Sequence, residues 1–328
     1  MKRDLFLGSA LGALAVCPVF ARAANAADAA GTPIRFGYQA TIWGAPAMVA
    51  EDAHVWSRTG ANVQSVRLTS GAAVRDGLIG GALDAGLTGA TPFIIGAARG
   101  QLEAVAVAAY TGRTLAIVVG KDSKYRSIAD LKGARIASTL GSTTNQVFVE
   151  KIAPKFGLSK TDYRILNMQF QDMVPALQTG QIDAFAGVEP FPTLAVANGV
   201  GRILMDYGAY DIAPLLIAFN AGFIDRNTPE VLNALRAWLQ VDAMFKKQRQ
   251  TVDKILYSDF SEHGASIPLA VLTQAVSKMD VTSTFRSDLR PYLQEQAQVL
   301  IKEGAIPAAP DWSKVLRTDL LAAAQRHK

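Results

Sequence analysis

Asp76-Gly-Leu-Ile-Gly-Gly-Ala-Leu-Asp-Ala-Gly-Leu-Thr-Gly-Ala-Thr-Pro-Phe93, leading on to Gly100, decides the fold, because the chain writes it twice. Starting 99 residues later, Pro175-Ala-Leu-Gln-Thr-Gly-Gln-Ile-Asp-Ala-Phe-Ala-Gly-Val-Glu-Pro-Phe-Pro192 leads on to Gly199. With no gap, Leu78/Leu177, Gly81/Gly180, Asp84/Asp183, Ala85/Ala184, Ala98/Ala197 and Gly100/Gly199 are identical. Each copy reads as a helix ending at Gly, a turn, a short apolar strand, a small-residue loop and a new helix opened near Pro. An earlier segment repeats as well: Ile34-Arg-Phe-Gly-Tyr-Gln-Ala-Thr41 aligns with Ala134-Arg-Ile-Ala-Ser-Thr-Leu-Gly141, 100 residues on. A unit of about 100 residues is too long for a solenoid and implies two related lobes with a cleft between them.

The front of the chain says where it works. Lys2 and Arg3 precede the apolar run Leu5–Val16, and small-residue cleavage patterns follow at Ala21-Arg22-Ala23 and Ala24-Asn25-Ala26. This is the pattern of a secretory signal peptide over residues 1–26, too short to span a membrane. Cys17 raises the alternative of a lipid anchor, but Val16 fits poorly where lipoproteins carry Gly, Ala or Ser. The reading is therefore cleavage near Ala23 or Ala26 and a periplasmic protein. Cys17 is the one cysteine, so the mature chain has no thiol or disulfide chemistry. Cleavage removes three basic residues and one acid, and the net charge falls from +5 to +3. No Lys/Arg cluster is interleaved with aromatics, which argues against nucleic acid. No later apolar run approaches membrane length, and about 300 mature residues suit two domains with a large core.

Alternating strand and helix patterns make the chain α/β. Strands are expected at Ile34–Gln39, Asn62–Leu68, Leu83–Leu87, Ala104–Ala109 and Leu115–Val119. In the second repeat they are expected at Arg135–Thr139, Tyr163–Asn167 and Ile182–Gly187, with a continuous apolar strand over Pro214–Asn220. Helices open at Pro46, after Thr69-Ser70, at Pro92, at Gly141–Asn145 and near Pro190. From Thr228 onward the pattern is helical, over Val231–Lys247, Pro268–Met279 and Pro291–Gly304.

The usual catalytic sets are missing. His54, His263 and His327 lie far apart, in no metal spacing. No G-x-S-x-G elbow or Walker A motif occurs. Gly77-Leu-Ile-Gly-Gly81 sits at a helix C-terminus, not at the N-terminus a phosphate loop needs. What remains is a set of helix N-termini rich in hydroxyls and glycine: Thr69-Ser70-Gly71, Thr88-Gly89-Ala90-Thr91, Gly141-Ser142-Thr143-Thr144 and Gly187-Val188-Glu189. Free N–H groups and the positive dipole end suit such positions to anions. Ser and Thr cap helices whatever the function, but these four follow strand ends at equivalent places in both repeats. That sheet edge is where open α/β folds bind ligands. The loops hold no Lys or Arg, so neutral donors would hold an anion. Glu189 is their one charge, either an acid favoured at a helix start or a partner for a ligand N–H. Tyr110-Thr111-Gly is an ordinary turn or the place where the chain leaves the first lobe. Trp43, Tyr110 and Phe170 are either core or an apolar wall for the ligand.

These residues carry a resemblance. Ile34-Arg-Phe-Gly-Tyr-Gln39, Ser70-Gly71, Gly81-Ala-Leu-Asp-Ala-Gly86, Thr88–Pro92, Ile117-Val-Val-Gly-Lys-Asp-Ser123 with Ser127-Ile-Ala-Asp-Leu-Lys-Gly133, Gly141-Ser142 and Gly180–Ala184 with Glu189-Pro-Phe191 resemble the solute-binding proteins of ABC importers. The likeness is to the nitrate/sulfonate/taurine group, which includes binders of thiamine pyrimidine precursors, and covers nearly the whole mature chain. It implies a two-lobed periplasmic-binding-protein fold of type II, each lobe a mixed sheet flanked by helices, with ligand in the interlobe cleft. It implies crossings near Tyr110–Leu115 and Ala213–Phe219. Lobe 1 would then be residues 32–112 and 217–328, and lobe 2 residues 113–216. It implies ligand contacts at Gln39, Ser70, Thr88, Tyr110, Ser142, Thr143 and Glu189. Trp43, Gly71, Thr91, Thr111 and Gly141 join that set from the loop reading. Where the group often has Trp-Asp-Pro, this chain has Val188-Glu-Pro190. The function implied is a monomeric, non-enzymatic binder, without metal or cofactor, that closes on a small organic anion and delivers it to a membrane permease. The alternatives are a pyrimidine-precursor binder, an enzyme on the same fold, or a sensor input.

Overall fold

The structure, a computed structural model, describes residues 31–326. The signal peptide, its cleavage sites near Ala23 and Ala26, Cys17 and His327 lie outside those residues. Four strands come first: β1 (Ile34–Gln39), β2 (Val63–Leu68), β3 (Ala85–Gly89) and β4 (Leu102–Tyr110). Five follow: β5 (Leu115–Gly120), β6 (Arg135–Ser138), β7 (Arg164–Asn167), β8 (Ala184–Val188) and β9 (Gly201–Asp206). β10 (Pro214–Asn220) and β11 (Asp280–Val281) complete the set. They form two mixed sheets, ordered β11-β4-β10-β3-β1-β2 and β9-β5-β8-β6-β7. Leaving out β11, the sheets match strand for strand. Each has one antiparallel member inside it, β10 in the first and β5 in the second. That member is the strand by which the chain arrives from the other lobe, so each lobe borrows a strand from across the hinge.

The repeat is built from one polar device used twice. Arg35 at the start of β1 donates through Nε and Nη2 to Asp84, both at 2.8 Å, and its backbone N–H joins them at 2.9 Å. Arg135 at the start of β6 does the same to Asp183, at 3.0, 2.9 and 2.8 Å. In return each Asp N–H donates to the Arg carbonyl at 2.9 Å. The fork fixes register: Phe36 pairs with Ala85 in one lobe and Ile136 with Ala184 in the other. Burial alone would raise the Asp84 carboxyl, but the bonds from Arg35 outweigh it and hold the group below its ordinary value. The Arg135 hydrogen bond does the same for Asp183. Gly81 and Gly180 close the preceding helices with φ of +75° and +68°, the left-handed cap that favours glycine.

The central parallel strands β3 and β8 are buried at every position, between layers of helices, while β2 and β7 at the sheet edges carry polar residues such as Gln64, Arg67 and Arg164. Beneath β1, Phe36, Trp56 and Trp238 pack with ring centroids 5.6–5.9 Å apart. Helix Thr228–Lys247 supplies Trp238. Helix Leu289–Lys302 packs against helix Ala90–Ala97 through Leu289, Leu293, Ala297 and Leu300.

Three features differ from the sequence reading. Gly201–Asp206 is a half-exposed edge strand, and Asp280–Val281 is too short to show alternation. Thr88 and Gly89 are not a loop: β3 runs to Gly89 and the next helix begins at Ala90. The second crossing comes earlier than Ala213–Phe219, because Pro214 already pairs with Tyr110 and Leu215 with Gly89. A division at residues 216 and 217 would cut β10. The chain crosses at Thr111–Thr114 and returns at Tyr207–Ala213, and the two segments touch. Thr111 N donates to the carbonyls of Ile212 and Ala213, both at 3.1 Å. A Cβ on Gly112 would stand 1.8 Å from the Asp211 carbonyl oxygen, so glycine is required there.

Candidate functional site

Several helix N-termini converge between the lobes. Helix Gly71–Ile79 is capped by Ser70, whose Oγ accepts from Ala73 N at 3.2 Å. Helix Ala90–Ala97 starts straight from β3 with no side-chain cap. From the other lobe comes helix Thr143–Val147, where Ser142 Oγ accepts from Asn145 N at 3.2 Å and donates to Thr139 O at 2.6 Å. All three begin at strand C-terminal ends, so their N–H groups point into one space.

Gln39, Trp43, Gly71, Ser142 and Thr143 line that space, together with Gly89, Thr144 and Phe170. The lobes are shut: the free volume is about 10 Å³, room for about one water. Thr143 Oγ1 accepts from Thr91 N at 3.3 Å across the closure, standing where an oxygen of a ligand could stand. Two buried polar atoms here have no partner, Gln39 Nε2 and Thr91 Oγ1. Gln39 Nε2 lies 3.3 Å from where a Gly71 Cβ would be, so the glycine gives it room. Thr88 Oγ1 donates to Gly71 O at 3.4 Å. Trp43 is both things the sequence allowed: it lines the cleft and is 4% exposed, with Nε1 donating to Thr114 Oγ1 at 2.7 Å. Gly141 sits at the rim, its Cβ position 3.7 Å from Ala72 of the facing lobe.

Tyr110 and Thr111 are not brought to this cleft, and Glu189 meets it with its backbone only: its carbonyl accepts from Ile42 N at 3.0 Å across the lobes, beside the lining residue Val188. Tyr110 lies on the hinge, where its hydroxyl donates to Thr284 O at 3.2 Å and accepts from Arg286 N at 2.9 Å. The Arg286 guanidinium stacks 4.3 Å from its ring, and burial pushes the phenol pKa up. Thr111 Oγ1 donates to Ala213 O at 2.5 Å and helps tie the two crossings. The Glu189 carboxylate accepts from Thr193 Oγ1 at 2.8 Å and Thr193 N at 3.2 Å, and it pairs with Lys278. It is therefore a helix-start acid neutralised by a cation from the first lobe. Lys278 carried no signal in the sequence, since it is 89 residues away in an unremarkable Ser-Lys-Met stretch. Among the described residues no group of His, Cys, Asp and Glu could hold a metal ion. No helix among them is long and apolar enough to cross a membrane.

The sequence over residues 27–255 matches the NMT1-like family. The chain belongs to that family. Among curated relatives, a putative aliphatic sulfonates-binding protein of Escherichia coli (strain K12) is 26% identical over 231 residues, 69% of this chain and 71% of the relative. Two solved structures show the same fold as this NMT1-like chain. The alkanesulfonate-binding protein of Xanthomonas axonopodis pv. citri, bound to MOPS, superposes with a TM-score of 0.74 at 22% identity, covering 89% of this chain and 97% of that one. The periplasmic nitrate-binding protein of Synechocystis PCC 6803 superposes with a TM-score of 0.74 at 17% identity, covering 90% and 89%. The NMT1-like chain thus has the two-lobed periplasmic-binding-protein fold.

Proposed function

We propose that this protein is the solute-binding component of an ABC importer, acting in the periplasm as a monomer and holding a small organic anion between its lobes. The observation that carries the reading is the closed cleft, where Gln39 Nε2 and Thr91 Oγ1 are buried without partners beside converging helix N-termini. Buried polar groups are rarely left unpaired without a reason. An oxyanion at this place would take the Thr91 N–H from Thr143 Oγ1 and give Gln39 its missing acceptor. Trp43 and Phe170 would cover the apolar part of the ligand. Ser70, Gly71, Thr88, Gly141, Ser142 and Thr143 would shape the pocket and orient its N–H groups. The sulfonate- and nitrate-binding relatives support this class of ligand.

The lobes would pivot at Thr111–Thr114 and Tyr207–Ala213, and a permease would read the closed form. The lining contains no Cys, His, Asp, Glu or Lys, which favours a binder over an enzyme. With Glu189 held by Lys278, no free carboxylate remains in the lining to meet a ring N–H, which favours an anion over a pyrimidine. Native mass spectrometry of the protein as isolated, followed by calorimetry with an alkanesulfonate, taurine, nitrate and an aminopyrimidine, tests the reading. Heat from a sulfonate or nitrate and none from the pyrimidine is expected; the reverse pattern refutes it.

A further inference from the structure

Helix Leu289–Lys302 belongs to the first lobe by its apolar face, but a polar stripe on it meets the second lobe. Tyr292, Glu295 and the capping residue Glu303 recur at i, i+3 and i+11, on one side of the helix. Tyr292 Oη donates to Asp211 Oδ1 at 2.7 Å. Glu295 faces Lys151 at 3.9 Å. Glu303 accepts from Gln146 Nε2 at 2.8 Å and from Lys160 Nζ at 3.0 Å, and Lys160 also pairs with Glu150. Glu150 and Lys151 lie in a π-helical turn, Phe148–Ile152, inserted into the helix that begins at Thr143. Such turns re-aim side chains and recur at functional places.

The two ends of the stripe differ. Asp211 is on the second crossing with its side chain fully buried, and Lys151 Nζ lies 3.3 Å from it. That end sits at the hinge, where opening moves atoms least. Glu303 is eleven residues further along, about 16 Å at the helical rise. Its contacts span the lobes at partly exposed side chains, so they separate when the cleft opens.

We propose that helix Leu289–Lys302 is an ionic strap, anchored at the hinge by Tyr292–Asp211, whose Glu303 end fastens to Lys160 and Gln146 in the closed form and so sets the open–closed balance from outside the ligand cleft. The strap rests on the reading that the lobes open and close, and it makes closure sensitive to salt. Exposed pairs of this kind are weak one by one and are screened at high ionic strength. Because any ligand's apparent affinity scales with the population of the binding-competent form, residues that touch no ligand would tune it.

The test uses ligand-free protein, so a failure to bind sulfonate leaves it intact. Small-angle scattering and acrylamide quenching of Trp43 follow opening from about 0.01 M to 1 M salt. The wild type should open as salt rises. Glu303→Gln should be roughly two- to fivefold more open at low salt and lose most of the salt response. Because the Glu150 carboxyl also lies against Glu303, Lys160→Glu leaves three facing acids and should open the lobes further, and Lys160→Glu with Glu303→Lys should close them again. Should Glu303→Gln lose its melting transition, Lys160→Gln breaks the same contact from the other lobe. Identical scattering of wild type and variants at every salt concentration overturns the strap, as does a double reversal that fails to restore what the single reversal removed.

Discussion

Gly89→Ala should hold the lobes apart while leaving each of them folded. The backbone at Gly89 has φ −75° and ψ 174°, extended geometry that alanine adopts without strain. The new methyl, however, would stand 2.4 Å from Thr143 Oγ1 and 3.2 Å from Thr143 Cβ, both on the facing lobe. Relaxed contact needs about 3.5 Å, so the lobes must separate by about 1 Å at this point, or Thr143 must rotate away and release Thr91 N. Overpacking of this size costs about 1–3 kcal/mol, and here it falls on the closed form. That is a roughly five- to 150-fold loss of closed population, and apparent affinity falls with it. The methyl would also approach Trp43 Cζ3 at 2.8 Å within the first lobe, a contact present in both forms that accounts for a small drop in Tm. Scattering should report a larger radius of gyration. Acrylamide quenching should rise through Trp43, because Trp56, Trp238 and Trp312 are buried within the first lobe. Adding Thr143→Ala removes the 2.4 Å contact and should restore part of the closure. The reasoning is refuted if Gly89→Ala keeps the wild-type scattering curve and quenching.

Three further outcomes follow from the same geometry. Asp84→Asn or Asp183→Asn should each cost roughly 1–2 kcal/mol, discounted because Arg35 and Arg135 are almost half exposed, and the two should add because the sites lie in different lobes. Both carboxyls are held below their ordinary value, so their contribution is complete above the unfolded pKa near 4 and is lost as pH falls through the lower folded value. The gap in Tm between wild type and the double variant should therefore shrink below about pH 4, and a gap that widens there contradicts the assignment. Gln39→Met should leave Tm within about a degree, since the amide nitrogen has no partner to lose, yet weaken binding of whichever anion calorimetry identifies by about tenfold; equal affinity removes Gln39 from the site. Lys278→Met strands a carboxylate that is 1% exposed and should destabilise the protein by about 3–5 kcal/mol, with Glu189→Gln added recovering much of it; equal melting of single and double variants refutes the pairing.

Local chemistry made the lobes legible. The Gly turns and the Ser caps act within a few residues of themselves, and the Asp before each repeated strand shows twice although its Arg partner lies 49 residues away in one lobe and 48 in the other. Alternation marks β1, and apolar runs mark β5 and β10, because strands buried on both faces need no partner to be recognised. The crossing was misplaced because an apolar run such as Leu215–Phe219 states that it is buried and not which lobe buries it. Tyr110 enters the expected contact set through the family resemblance, and Thr111 through the turn that follows it. Their side chains turn to Thr284, Arg286 and Ala213 instead, contacts more than 100 residues away. The strap was equally hidden, since a Tyr-x-x-Glu stripe on an amphipathic helix reads as a solvated face until the opposing lobe is in place.

The two copies of the repeated stretch end differently, and that difference sets how the cleft treats charge. In the first copy, β3 passes from Gly89 straight into a helix whose N–H groups open on the cleft. In the second, Glu189 follows β8 and satisfies the N-terminus of its own helix through Thr193. One helix start is left available and the other is filled from within. Lys278 then cancels the carboxylate that does the filling. The cleft keeps the partial positive charge of its free helix ends without a formal cation in its lining. Such a site can favour an anion by oriented dipoles and release it when the lobes part, because no buried ion is stranded by its departure.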